Sequence, residues 1–434
     1  MIGGYYDAMR NAETRTDAVF AAQPAAAVPA VRRRPGGMRI GFLFNHDQIH
    51  QVAHSLPIAL ALARGGFDGE IIVATTTERL AREVQRLAGG LLATRIEHVE
   101  LKLKRSSTRL AGLLGAVVPA SKVLVYRDNL EFFRSLDVLV VAEKTSLILR
   151  KAHHLMRPLL VHTRHGAGDR AIGFDRHSAG FDHVLCSGEK IRERLIRDAG
   201  VPAGDISVVG YPKFDIVQPS VRLMSGLPDK PVVLYNPHPS PHLSSWYQHG
   251  RAVLDFFIDN DDYQLIFAPH VMLFERRFVV TIDRLRIDRP GRLHERYLRS
   301  PNIHIDLGSR ASTDMSYTLS ADIYLGDASS QVYEFLYRPR PCLFLNSHAH
   351  SWQGNPNFEH WNAGPVIERP DQLAAGLRQA RASHADTYLP VQQQMRARSF
   401  DVSDRPSSQR AADALLRFMD RKGLSLTRRS RAAA

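Results

Sequence analysis

"ADIYLGDASSQVYEFLYRPRPCLFLN", residues 321–346, decides the architecture. DIYLG (322–326) and PCLFL (341–345) are apolar runs of strand length, and the residues near 330–338 between them read as a helix. Strands apolar on both faces and separated by helices belong to a parallel sheet covered on both sides. The first run ends at Gly326 and Asp327, after which Ser329 or Ser330 can cap the helix. Amides at a helix start, with hydroxyls beside them, can hold a phosphate; an ordinary N-cap is the plainer reading.

The same alternation runs through most of the chain. MRIGFLFN (38–45), EIIVATT (70–76), VLVVAE (138–143), RPLLVHT (157–163), HVLCS (183–187) and ISVVGYP (206–212) read as strands, with helices over 51–64, 77–89 and 188–199. After a segment containing Pro219, Gly226 and Pro228, the pattern restarts. VVLYN (232–236), QLIFAPH (264–270) and IHIDL (303–307) are strands; helices fall near 244–259, 312–320, 370–382 and 406–422. The expected organisation is a leader over 1–37, a Rossmann-like domain over 38–215 and a linker over 216–230. A second Rossmann-like domain over 231–369 follows, then helices and a basic tail over 370–434. Two doubly wound units of this kind place a ligand cleft between the carboxyl ends of their strands.

At 434 residues, two domains are the default, and 44% hydrophobic with 23% charged residues is a globular composition. The formal charge of +13 favours a polyanionic partner, such as a phosphorylated substrate or an anionic membrane face. No nucleic-acid motif appears, so no nucleic-acid partner is expected. Two cysteines, Cys186 and Cys342, fit a reducing cytoplasm, and no run is long enough to span a membrane. "AVFAAQPAAAVPAVRRRPGG" has its charges after the apolar part and two prolines within it, so it reads as a disordered leader; Met38 is a candidate start. "LKLKRSSTRLAGLLGAVVPASKVLVYR" (101–127) breaks the rhythm. It reads as an inserted helical hairpin with solvated charges, or as an amphipathic element on the inner face of the cell membrane.

Several histidines stand at strand ends. In "VHTRHGAGDRAIGFDR" (161–176), His162 belongs to the strand and His165 lies just past it, beside Gly166. A neutral imidazole there can take a proton from an attacking hydroxyl, and the glycine permits close approach. With 20 histidines in the chain, a surface or packing role is the competing reading. His270 ends "LIFAPH", and His238 and His242 lie in "YNPHPSPH". His162 with His165, His238 with His242, and His46, His50 and His54 have ligand-like spacings. No HExxH or cysteine pair accompanies them, so no metal is expected. "FNHDQIHQVAH" stands where a GxGxxG would follow the first strand, which disfavours a dinucleotide cofactor.

Taken together, four stretches resemble the CDP-glycerol glycerophosphotransferase family, which builds teichoic-acid-type polymers. "HGAGDRAIG" is similar to its histidine-glycine motif, with His165, Gly166 and Gly173 in register and Arg170 in place of a lysine. "GYPKFD" (210–215) matches a glycine-tyrosine-proline element carrying Lys213. The 321–346 segment matches an Asp-x-Ser-Ser element, with Glu334 where aspartate is usual. "LIFAPH" matches the strand ending in the family's second important histidine, here His270. His238 stands at a threonine position, and Val271 replaces a proline.

The resemblance implies a GT-B fold and transfer of a polyol phosphate from a CDP-activated donor to a hydroxyl of a lipid-linked or glycan acceptor. It implies His165 as general base. His270, Ser329 and Ser330 would hold the donor pyrophosphate, with Asp327 orienting a neighbour and Arg170 neutralising the leaving CMP. Gly166, Lys213, His238 and Glu334 complete the expected substrate contacts. No cofactor is expected beyond the nucleotide-activated donor, itself a substrate. The location implied is cytoplasmic, peripheral to the membrane if residues 101–127 bind it. The alternatives are a GT-B glycosyltransferase using a nucleotide sugar, a UDP-sugar 2-epimerase-like enzyme, and a non-catalytic membrane-surface scaffold.

Overall fold

Among the described residues, thirteen of the fifteen strands fall into two parallel sheets, and both sheets follow from the apolar runs. The computed structural model describes residues 37–45, 49–114, 120–164, 166–169, 171–217, 230–275, 278–281 and 286–424. The 1–37 leader apart from Gly37, most of the 216–230 linker and the basic tail lie outside them, as do His46, His165 and Arg170.

The first sheet has the order β3-β2-β1-β4-β5-β6-β7. Its strands are β1 (Met38–Phe44), β2 (Gly69–Thr75), β3 (Ile96–Glu100), β4 (Val138–Val141), β5 (Leu159–Thr163), β6 (His183–Cys186) and β7 (Ile206–Val208). Alternate residues of β1 enter opposite cores. Ile40, Phe42 and Phe44 pack with α1 (Val52–Arg64), while Leu43 joins Leu139 and Leu160 on the other face. The central strands are therefore apolar throughout. Strand β3, "IEHVE", escapes an apolar-run reading because it is an edge strand, largely half-buried.

The second sheet has the order β12-β9-β8-β13-β14-β15. It comprises β8 (Val232–Asn236), β9 (Gln264–Phe267), β12 (Ile303–Ile305), β13 (Ile323–Gly326), β14 (Cys342–Leu345) and β15 (Val366–Ile367). An antiparallel hairpin, β10 (Val279–Thr281) with β11 (Arg286–Asp288), interrupts the alternation between β9 and β12. Strands β13 and β14 pair directly in parallel, so residues 321–346 form the expected strand-helix-strand unit.

In the 101–127 insertion, α3 (Arg105–Leu114) and α4 (Ala120–Asp128) pack together. Arg127 donates to the Ser107 hydroxyl at 2.7 Å, and the Lys104 amide donates to Asp128 at 2.9 Å. The Asn45 amide group at the end of β1 donates to the Lys122 carbonyl at 3.0 Å, which fixes the insertion to the carboxyl edge of the first sheet. Among the described residues no helix is long and apolar enough to cross a membrane. Both cysteines are buried and free.

Two helices connect the lobes. The α5 helix (Glu189–Arg197) of the first lobe meets α9 (Leu389–Phe400), and α10 (Ser407–Arg421) returns to the first core. There Ala411, Leu415 and Phe418 join Ile40, Phe42 and Leu56.

His183, the first residue of β6, is fully buried; its ring stacks on Phe418 at 4.8 Å and its Nε2 meets the Ser207 hydroxyl at 2.9 Å. Burial, helped by Arg421 and Lys422, holds its pKa down at about 4. The unfolded chain therefore binds this proton more readily, since an unperturbed histidine titrates near 6.5. Stability from this site is complete above about pH 6.5 and is lost as pH falls toward 4, at up to about 1.4 kcal/mol per pH unit. Thermal melts of the wild type and His183→Gln between pH 7 and 4.5 check this; the variant should lose less stability over that window.

Candidate functional site

The site is built around the four residues that follow His165. Gly166 has a φ of +78°, a left-handed conformation suited to glycine, and its amide donates to the Tyr211 hydroxyl. The Ala167 carbonyl accepts from Lys190 at 3.3 Å. A Cβ on Gly168 would stand 2.7 Å from that of Ser330, so the glycine-rich loop lies directly against the Asp-x-Ser-Ser segment. Asp169 is the fourth, and it is the most heavily bonded.

Asp169 is buried, with its side chain 1% exposed. Its carboxylate accepts from Lys190 of α5 at 2.8 Å, from the Tyr333 hydroxyl, and from both the amide and Nδ1 of His360 at 3.1 and 2.8 Å. The Lys190 ammonium also sits 3.7 Å above the Tyr333 ring. Burial alone would raise the Asp169 pKa, but Lys190 and His360 overcome it and hold the carboxyl well below its usual range. Tyr333 belongs to α7 (Gln331–Phe335) and His360 to the segment after β14. One carboxylate thus joins the two lobes.

Asp327, just past β13, is also fully buried. Its carboxylate accepts from the His238 amide at 2.9 Å and from the amide and hydroxyl of Ser245 at 2.6 and 2.9 Å. Burial raises its pKa to about 6 against these bonds. Its role in this geometry is to shape the loop after β8. Its carbonyl accepts from His360 Nε2 and the Trp361 indole, both at 3.0 Å.

His238 and His270, past β8 and β9, lie side by side with ring centroids 6.3 Å apart. Each Nδ1 accepts a backbone amide two residues on, from Ser240 at 3.0 Å and Met272 at 3.3 Å. That geometry assigns the proton of each neutral ring to Nε2, making both histidines donors there. The Ser329 hydroxyl donates to Asn236 at 2.8 Å and is reached by the Gln331 amide at 3.4 Å. Ser330 occupies the N-cap position with no side-chain cap bond. The α7 helix spans only five residues rather than the 330–338 expected, so its dipole adds little; the nearby hydroxyls and imidazoles carry the site's polarity.

Lys213 and Glu334 are brought to each other, 2.6 Å apart, and Tyr211 also donates to Glu334 at 3.1 Å. The rest of "GYPKFD" fastens α10. Asp215 accepts from the Ser407 and Ser408 amides, and a Cβ on Gly210 would collide with the Ser407 hydroxyl. Lys213 also lines an open cleft between the lobes, with Arg86, Glu83, Arg310 and Asp314 around it.

Gly173 makes room for Arg164, whose guanidinium reaches the Gly173 carbonyl and lies 4.3 Å from the centroid of the Phe174 ring. His162 stacks on Phe181 at 4.5 Å, a packing role. Among the described residues no group of three or more His, Cys, Asp or Glu side chains is arranged to hold a metal. Sequence reading missed Asp169, although it lies in the quoted glycine-rich stretch, because the partners that define it are remote in sequence. It also missed Tyr333, His360 and Tyr211. "FEHWN" around His360 carries no local signal at all.

Two parallel, doubly wound sheets whose strand-end loops meet at a cleft make this a GT-B-like fold. A putative UDP-N-acetylglucosamine 2-epimerase from Listeria monocytogenes superposes with a TM-score of 0.56 at 14% identity, over 89% of this chain and 97% of that one. The wall teichoic acid polymerase TagF superposes with a TM-score of 0.55 at 14% identity, over 89% and 90%. S. aureus MnaA with UDP gives 0.54 at 13%, over 88% and 97%. No protein-family model and no curated protein matches the chain. At these identities the likeness is one of fold.

Proposed function

We propose that the chain is a transferase of cell-envelope polymer synthesis, moving a polyol phosphate from a CDP-activated donor to a hydroxyl of a lipid-linked or glycan acceptor. The observation that carries this reading is the contact of Gly168 with Ser330. It joins the loop after His165 to the Asp-x-Ser-Ser segment, two of the four stretches that carry the family resemblance. His238 and His270 follow neighbouring strands of the second lobe, each with its Nδ1 held by a backbone amide.

In this reading His165 takes the acceptor's hydroxyl proton. The oxygen forms a new bond to the phosphorus bearing the polyol, and the P–O bond to CMP breaks with its electron pair leaving on CMP. Imidazole N–H groups and Arg170 offset the charge that develops, the principal demand of phosphoryl transfer. TagF, named a wall teichoic acid polymerase, shares the fold, which supports the reading. The fold is equally that of UDP-N-acetylglucosamine 2-epimerases, so a nucleotide-sugar enzyme is the second reading.

A thermal-shift screen against CDP, CMP and UDP, followed by CMP release from CDP-glycerol or CDP-ribitol, tests it. His165→Ala should abolish CMP release while leaving the melting temperature and the nucleotide-induced shift unchanged. Turnover of UDP-N-acetylglucosamine with none of any CDP-polyol would replace this reading by the second.

A further inference from the structure

We infer that His360, acting through Asp169, is a positioning residue: a doubly protonated imidazole that fixes the loop carrying His165 against the donor-side loop carrying Asp327. Both ring nitrogens face acceptors, the Asp169 carboxylate at 2.8 Å and the Asp327 carbonyl at 3.0 Å. An acceptor oxygen at each nitrogen calls for a proton on each. The neutral ring can serve only one of the two, so the ring links these two loops to each other only with the second proton in place. Residues 166–169 are held by Tyr211, Lys190, the Ser330 contact and His360 in turn, and His165 immediately precedes them.

The groups around the ring are consistent with a cation. Asp169 faces it from the loop after β5, with Lys190 of α5 on that carboxylate and Arg194 of α5 on the Asp169 backbone carbonyl. Tyr333 of α7 shares Asp169, Asp327 lies at the end of β13, and Glu359 is its chain neighbour. Phe344 and Trp361 close the remaining sides at centroid distances of 5.7 and 6.1 Å. Water is largely excluded, since the residue is only 3% exposed.

The chemical consequence rests on the proposed transferase reading, but the positioning itself does not. In His360→Gln a single amide nitrogen replaces two opposed donors, and the Lys190–Asp169 pair is left in place. Three measurements on the full chain decide it. Nitrogen-15 histidine spectra should show protons on both His360 nitrogens near pH 7, with these signals absent from the variant. Hydrogen exchange of the 166–169 amides should be at least about tenfold faster in the variant. CMP release from CDP-glycerol should show kcat lower by about 10- to 100-fold with donor KM within about twofold. A single proton on His360, or unchanged exchange in His360→Gln, overturns the inference. Unchanged kcat with faster exchange overturns its consequence for turnover. A wild type that releases no CMP overturns the transferase reading alone, because the spectra and the exchange still judge the positioning.

Discussion

Asp169→Ala should lower the unfolding free energy by about 3–5 kcal/mol, the loss typical when one partner of a buried ion pair is removed. Lys190 is 4% exposed and would keep its charge with no carboxylate to meet it. His360 and the Tyr333 hydroxyl would lose their common acceptor at the same time. Asp169→Asn keeps the shape and some of the hydrogen bonds, so it should fall between the wild type and the alanine variant. Asp169→Leu combined with Lys190→Met should recover most of the loss, because an apolar pair of similar volume is often neutral where a charge pair has been removed. Urea midpoints for the four proteins check the ordering. A loss below about 1 kcal/mol in Asp169→Ala would mean that water reaches this hub.

The second large effect is expected at Lys213 and Glu334. Both lie deep between the lobes, 3% and 11% exposed, and their charged atoms are 2.6 Å apart. Glu334→Ala should cost about 3–5 kcal/mol by stranding the ammonium and leaving Tyr211 without its carboxylate. The pair Lys213→Met with Glu334→Leu should cost much less than the sum of the single changes, a coupling that a double-mutant cycle reads directly. The cycle also separates two roles. A structural pair changes stability and leaves donor KM alone, whereas substrate contacts at either residue would raise donor KM even where the double variant folds well.

Most of the fold was legible because burial on both sheet faces forces an apolar run, and such runs are visible one residue at a time. The elements missed are those without that constraint. Strand β3 is an edge strand, β15 is two residues long, and β10 and β11 form a hairpin inserted into the second lobe. The site was legible only in outline. Strand ends could be placed, and so His238, His270, Asp327 and the serines could be named. What organises them is a set of bonds between residues far apart in the chain, such as Asp169 with His360, 191 positions away. Polar partners across that distance leave no period or spacing in the sequence. Lys213 shows the converse: its motif stood out, and the structure places its ammonium on Glu334.

The return of α10 to the first lobe bears on how the protein is made. Phe418 and Leu415 fill a core whose other members, Ile40 and Phe42, lie almost a whole chain length earlier. On the ribosome the first lobe emerges early but lacks that wall until α10 has emerged, after the second lobe. Its apolar face must stay open through synthesis of the entire second lobe, a long exposure for contacts of such high sequence separation. The second lobe's own core is finished only slightly earlier, by Met395 and Phe400 of α9, so the lobe that is begun first is the one completed last.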